Sequence, residues 1–223
     1  MSSLGHLLAA ALVLGALHSF GPDHLAAVGV FVSRRPSWRR AASLGARWGM
    51  GHSLAILLVG GAVVLSGLRL PERFAPLAER LIGVVLIAVG VAALWRAWRL
   101  HAHAHTHDGA THWHVHSHAT SESHDHSHGA LFGIGMLHGL AGTGALVALL
   151  PAFTDTREDG LLFLVLFGLG TICSMALFGA TAGHVLAVTT TTKGRAPIHR
   201  AALACAGAAS VVVGVWWLAS GGA

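Results

Sequence analysis

The chain has 223 residues, 54% of them apolar and only 10% charged, with 29 glycines and a net charge of +5. Soluble domains carry about 25% charged residues, so this composition excludes a soluble enzyme and, for most of the chain, disorder. The basic residues stand in short clusters between apolar runs, as they do beside a bilayer, and form no continuous stripe of the kind a nucleic acid needs.

A spanning helix needs about 20 apolar residues, and six stretches qualify: 4–32, 42–66, 76–98, 130–152, 160–188 and 198–220. The first is read as an interrupted span and not a cleaved signal, because no basic residue precedes it and the apolar run continues through Pro22. Inside it stands His18-Ser-Phe-Gly21-Pro22-Asp23-His24. Ionisable side chains at membrane depth are costly and mark function by default. On an unbroken helix His18, Asp23 and His24 would point in three directions, each roughly 100–140° from the next. Proline removes a donor and collides with the carbonyl four residues earlier, so Gly21-Pro22 predicts a break that lets the three converge. Asp23 then falls in the first turn of the second half-helix, where the dipole favours a carboxylate. The carbonyls ending the first half are expected to be free to face a cation. Two imidazoles and a carboxylate suit nickel, cobalt or zinc better than magnesium or calcium.

The second span carries His52 and Ser53 among glycines, the histidine as a further ligand candidate and the serine as a supporting group. After the third span, residues 100–129 hold eleven of the 18 histidines: His101, His103, His105, His107, His112, His114, His116, His118, His124, His126 and His128. This tract cannot bury a core, so disorder is expected, and its composition reads as auxiliary, low-specificity metal binding. The fourth span brings His138, another ligand candidate, and Thr143, a supporting one. His6, His184 and His199 are read as structural. Cys173 and Cys205, far apart in apolar runs, are read as buried small residues.

The connections set the orientation. Nine Lys and Arg residues fall in the first, third and fifth, against four in the second and fourth. The odd connections, and with them the histidine tract, are therefore expected in the cytoplasm and both termini outside, in a bacterial plasma membrane. Trp38, Trp95, Trp98, Trp216 and Trp217 fall near span ends, where indoles favour the interface.

The two halves also echo each other. Gly15-Ala-Leu-His18 recurs as Gly135-Met-Leu-His138, Gly49-Met-Gly51 as Gly168-Leu-Gly170, and the Gly83/Gly90 pair as Gly207/Gly214, in order and at offsets between 119 and 124. A unit of three crossings must have an inverted copy, a common transporter plan with its site at the repeat interface. The expected architecture is all-α: six transmembrane helices as a 3+3 inverted repeat with a broken first helix, divided into 1–99, the loop 100–129, and 130–223. In the second copy Thr143 replaces Asp23 and Gly144 replaces His24, which predicts one asymmetric site.

His18-x-x-x-x-Asp23-His24 in an early helix resembles the H-x-x-x-x-D-H signature of the nickel/cobalt transporter superfamily. The six spans with a histidine-rich cytoplasmic loop are similar to its compact members, and His138-Gly-Leu-Ala-Gly-Thr-Gly144 to its urease-accessory-type nickel permeases. The resemblance implies transport of Ni²⁺ or Co²⁺ as substrate, with no resident cofactor and with His18, Asp23 and His24 as principal ligands. The bilayer and the metal ion are the expected partners, and a cytoplasmic metallochaperone is a candidate. The cytoplasmic tract could collect metal for export or hold it after import; the direction is read as efflux, with uptake for a metalloenzyme such as urease as the alternative. A zinc carrier and a non-transporting metal sensor or store are the other readings. H-E-x-x-H and G-x-S-x-G are both absent, so an enzyme is not expected.

Overall fold

The computed structural model describes residues 3–33, 37–99, 101–107, 110–116, 127–190 and 196–220, with side chains described except at 3, 101–128, 190 and 196. Seven α-helices make up the membrane body: α1 (Ser3–His18), α2 (Pro22–Val32), α3 (Trp38–Ser66), α4 (Phe74–Arg99), α5 (Ser127–Leu149), α6 (Arg157–Thr190) and α7 (Ala196–Ser220). The last five are each long and apolar enough to cross a bilayer, and α1 with α2, bent by 61° at their break, makes a sixth candidate when the pair is taken as one span. The protein is thus a multi-pass membrane protein whose membrane body is all-helical.

The bend sits where proline demands it. Gly21, the residue before Pro22, has φ −52° and ψ 138°, the extended conformation that a following proline imposes. Pro22 then opens α2 at the one place in a helix where its missing N–H costs nothing. The carbonyls ending α1 are not free as the sequence suggested. The Leu17 and His18 carbonyls accept bonds from Phe20 and Gly21 N–H at 3.1 and 3.0 Å, so a tight final turn satisfies them locally.

Helix α3 packs along α6 and α5, α4 along α7, α1 along α6, and α2 against α7. Glycine sets the closeness of these contacts. A Cβ on Gly83 would stand 2.9 Å from the Gly214 carbonyl oxygen, and one on Gly214 would stand 2.7 Å from that of Gly83; Gly90 and Gly207 face each other in the same way. Gly15 abuts the Phe167 carbonyl and Gly135 that of Trp48; Gly170 abuts Leu12 and Gly51 abuts Phe132. Exchanging the two halves at the offsets of the sequence repeat turns each of these contacts into the other of its pair, as a three-helix unit packed on its inverted copy would. Hydroxyls supplement the packing: Ser53 Oγ donates to Gly168 O at 3.0 Å, Ser174 Oγ to Ala16 O at 3.2 Å and Ser210 Oγ to Leu86 O at 2.8 Å. Small residues and short hydrogen bonds replace the hydrophobic effect, which does not distinguish helix from lipid inside a bilayer.

One expectation needs correction. Cys173 and Cys205 are free and exposed, on helix faces turned away from the packed contacts of α6 with α3 and of α7 with α4. Part of the histidine tract is described as an antiparallel pair, β1 (His101–His107) and β2 (Ala110–His116), with His101 opposite His116 and His105 opposite His112. Alternation of histidine with other residues has the period of a strand. Residues 117–126 of the tract, and every side chain of 101–128, lie outside the described residues, and with them the eleven auxiliary ligands proposed there.

Candidate metal centre

The break between α1 and α2 lies in the interior of the bundle and turns both of its ends toward α3 and α5. His18 ends α1 and Asp23 and His24 open α2. The ring centroids of His18 and His24 are 4.6 Å apart, and His52, from the middle of α3, stands 5.3 Å from His18 and 5.2 Å from His24. His138, from α5, completes the group at 5.4 Å from His24. The carboxylate lies between two rings: Asp23 Oδ1 is 3.1 Å from His24 Nδ1, and Oδ2 is 4.0 Å from His138 Nε2. All five ligand candidates named from the sequence converge on one volume, and Gly21 and Pro22 form the break that brings them there.

The site is largely buried and short of hydrogen bonds. His52 is fully buried, His138 and His24 are nearly so, and Asp23 is 9% exposed. Five imidazole nitrogens, on His18, His24, both positions of His52, and His138, have no hydrogen-bond partner. The His24–Asp23 approach is close but lacks the alignment of a hydrogen bond. Buried polar atoms left unpaired cost about 1–3 kcal/mol each, so a cluster of this size needs a ligand to account for it. His138 shows how one ring is prepared. Its Nδ1 is 3.1 Å from the Ile134 carbonyl oxygen, an acceptor only, so the proton resides on Nδ1 and Nε2 presents its lone pair to the centre.

One nitrogen from each of His18, His24 and His52 can be chosen so that all lie within 4.8 Å of one another. A metal bonded at about 2.0–2.1 Å would need donors roughly 3–4 Å apart, so the rings must draw in by about 1 Å. Glycine leaves the space: a Cβ on Gly142 would come within 3.8 Å of His18 Nε2, and one on Gly21 would stand 2.6 Å from both Asp23 Oδ1 and His24 Nδ1.

Ser53 and Thr143 hold helix geometry and point away from the imidazoles. Ser53 bonds the α6 backbone, as above, and Thr143 Oγ1 donates to Gly139 O at 2.6 Å. The residue that the sequence reading missed is Trp48. It is fully buried, stacks on His52 at 5.0 Å with planes 19° apart, and meets His24 at 4.9 Å and His138 at 5.2 Å. Its signal was present: it precedes His52 by four residues, hence lies on the same helix face, and its counterpart in the second half is Phe167, which flanks His18 at 5.3 Å.

A multi-pass membrane protein with a buried imidazole–carboxylate cluster at a helix break is the class these observations define. Over residues 7–216 the chain belongs to the family described as the cytochrome c biogenesis protein transmembrane region. It is 29% identical over 206 residues to the urease accessory protein UreH of Bacillus sp. (strain TB-90), covering 92% of this chain and 87% of that one. It is 30% identical to the chloroplast proteins FOR GROWTH AND FERTILITY 2 and 1 of Arabidopsis thaliana, over 74% and 76% of this chain. The chain spans less than half the length of either plant protein. No solved structure matches it.

Proposed function

We propose that the protein carries a divalent transition-metal ion, nickel or cobalt, across the membrane, with His18, Asp23, His24, His52 and His138 as the intramembrane binding site. The observation that carries the reading is the convergence of four imidazoles, three buried and one half-buried, and one carboxylate, with five ring nitrogens lacking a hydrogen-bond partner, at a break between half-helices. That donor set is borderline-soft and matches nickel, cobalt or zinc. The resemblance to the nickel/cobalt transporter superfamily and the likeness to a urease accessory protein both favour nickel. Cys173 and Cys205 are free and exposed, so no buried thiol pair rivals the imidazole cluster as the reactive centre. The nine-to-four bias of basic residues supports a cytoplasmic histidine tract and outer termini.

The direction read from the sequence alone leans to efflux. The likeness to a urease accessory protein tilts it toward uptake, since a urease consumes nickel inside the cell, and a histidine-rich segment on the receiving side would hold the ion or pass it to a metallochaperone. The test is total cell nickel and cobalt, by mass spectrometry, with and without expression. A rise specific to the expressing cells is the expected result; a fall reverses the direction, and no change in either metal, with the protein correctly inserted, removes the transport reading.

A further inference from the structure

A cavity of about 500 Å³ runs from His18 toward one face of the membrane, lined among others by Glu79, Gly142, Ala145, Phe167 and Trp217. Glu79 belongs to the second turn of α4, Ala145 to the last turns of α5 and Trp217 to the last turn of α7, and all three lie toward the face that carries the α3–α4 and α5–α6 connections. His18 Nε2 and Trp217 Nε1 are both buried without a partner. The lining is otherwise apolar, and Glu79 is its one carboxylate.

The other half of the molecule holds the counterparts of these walls. Exchange of the two repeats carries Ile56 to Met175, Phe163 to Leu44, Phe167 to Trp48, Ala145 to Leu25, Trp217 to Ala93 and Glu79 to Leu203. These counterparts enclose no such route: Leu44, Trp48, Ala93, Met175 and Leu203 belong to one packed core cluster, none more than 5% exposed, with Leu25 against it. Trp48, the largest of them, is in contact with His24, His52 and His138. The same architectural positions therefore line an open cavity on one side of the imidazoles and form an apolar plug on the other.

We infer that the cavity is the ion's route to the metal centre, with the Glu79 carboxylate as a staging ligand at its outer part, and that the remaining half of the route is shut by Trp48, Met175 and Leu203. The inference rests on the proposed transport. A divalent cation approaching an apolar vestibule loses water contacts; a carboxylate on the wall lowers that barrier and raises the local cation concentration. No carboxylate is needed behind the plug, where the counterpart of Glu79 is a leucine. The charge bias of the connections makes the open face the outer one.

The experiment uses the full chain with Cys173 and Cys205 replaced by alanine, bearing Ala145→Cys, Leu25→Cys or Leu203→Cys, in sealed right-side-out and inside-out vesicles. A cationic, membrane-impermeant methanethiosulfonate is applied with and without Ni²⁺. Modification of Ala145→Cys from the α3–α4 face alone, at least tenfold faster than at the two counterpart positions from either face, is expected, as is slowing by Ni²⁺. An inert Ala145→Cys, or equal reactivity at Leu25→Cys and Leu203→Cys, overturns the route. This reactivity is read without any flux, so it stands apart from failure of the transport reading, which would show as absent Ni²⁺ movement whatever the labelling pattern. For the staging role, Glu79→Gln should lower Ni²⁺ flux several-fold at sub-saturating metal, with most of the deficit recovered at saturation, and Glu79→Asp should restore it; equal flux in Glu79→Gln and the parent at low metal overturns that role.

Discussion

Among the described residues Asp23 carries the only formal negative charge at the centre, and its oxygens lie 3.1 Å from His24 and 4.0 Å from His138. A unit charge pair at 4 Å is worth about 4 kcal/mol at an effective dielectric of 20, and a divalent ion doubles the interaction. Asn has the same shape and keeps one oxygen but removes the charge. Asp23→Asn should therefore reduce Ni²⁺ flux in reconstituted vesicles at least 100-fold while leaving the gel-filtration profile in detergent unchanged. Flux within a few-fold of the parent would mean that the ion passes elsewhere. Gly21→Ala reaches the same groups by a steric route, since its Cβ would displace both the Asp23 carboxylate and the His24 ring. Trp48 belongs at this scale too. Its role was hidden in the sequence because a tryptophan in an apolar, glycine-rich segment reads equally as packing or as an interfacial anchor. Trp38, Trp95, Trp98 and Trp216 are indeed more than 45% exposed, whereas Trp217, grouped with them by its place near a span end, turns inward to line the cavity.

Among the elements, the break between α1 and α2 was legible because a single residue type causes it: proline fixes the backbone of the residue before it and denies the helix a donor, with no help from tertiary structure. The helix pairings were half legible. Glycine spacing announced close contacts and an order in the two halves, but which carbonyl each glycine meets depends on crossing geometry that no local pattern contains. Gly135 lies against the Trp48 carbonyl and Gly15 against that of Phe167, whereas a Cβ on Gly133 would meet nothing within 4 Å. Overpacked helix contacts typically cost 1–3 kcal/mol, and here the obstacle is backbone, which cannot rotate away. Gly135→Val and Gly15→Val should both lower the thermal midpoint in detergent sharply and to a similar degree, and Gly133→Val should leave it close to that of the parent. Unequal effects at the first two positions would argue against equivalent packing of the halves. The cavity was illegible for the same reason as the pairings: His18, Glu79 and Trp217 are remote in sequence, and only the packed bundle shows that they share a wall.

At the scale of the whole molecule, the membrane potential decides how the proposed cycle is driven. Each elementary charge crossing the bilayer gains or loses about 2.3 kcal/mol per 100 mV, so a divalent cation moving inward against no other charge gains roughly 4.6 kcal/mol at 100 mV. That sustains an accumulation of about three decades without any coupled ion. The site is suited to such a uniport: Asp23 is the one acidic group at its centre, and its two oxygens face His24 and His138 in the ligand cluster, leaving no separate carboxylate beside the metal to carry protons in the opposite direction. In proteoliposomes with a potassium diffusion potential set by valinomycin, inward Ni²⁺ flux should rise as the lumen is made more negative, and accumulated Ni²⁺ should leak out when the potential is collapsed. A pH-sensitive dye in the lumen should show no stoichiometric proton release. If flux instead ignores the potential and each Ni²⁺ entering is matched by two protons leaving, the carrier is an electroneutral exchanger, and Asp23 with the surrounding imidazoles must then bind metal and protons in alternation. The same vesicles, loaded with Ni²⁺ and given the opposite gradient, separate a one-way carrier from a reversible one, because a uniport through this site must run in either direction that the electrochemical gradient dictates.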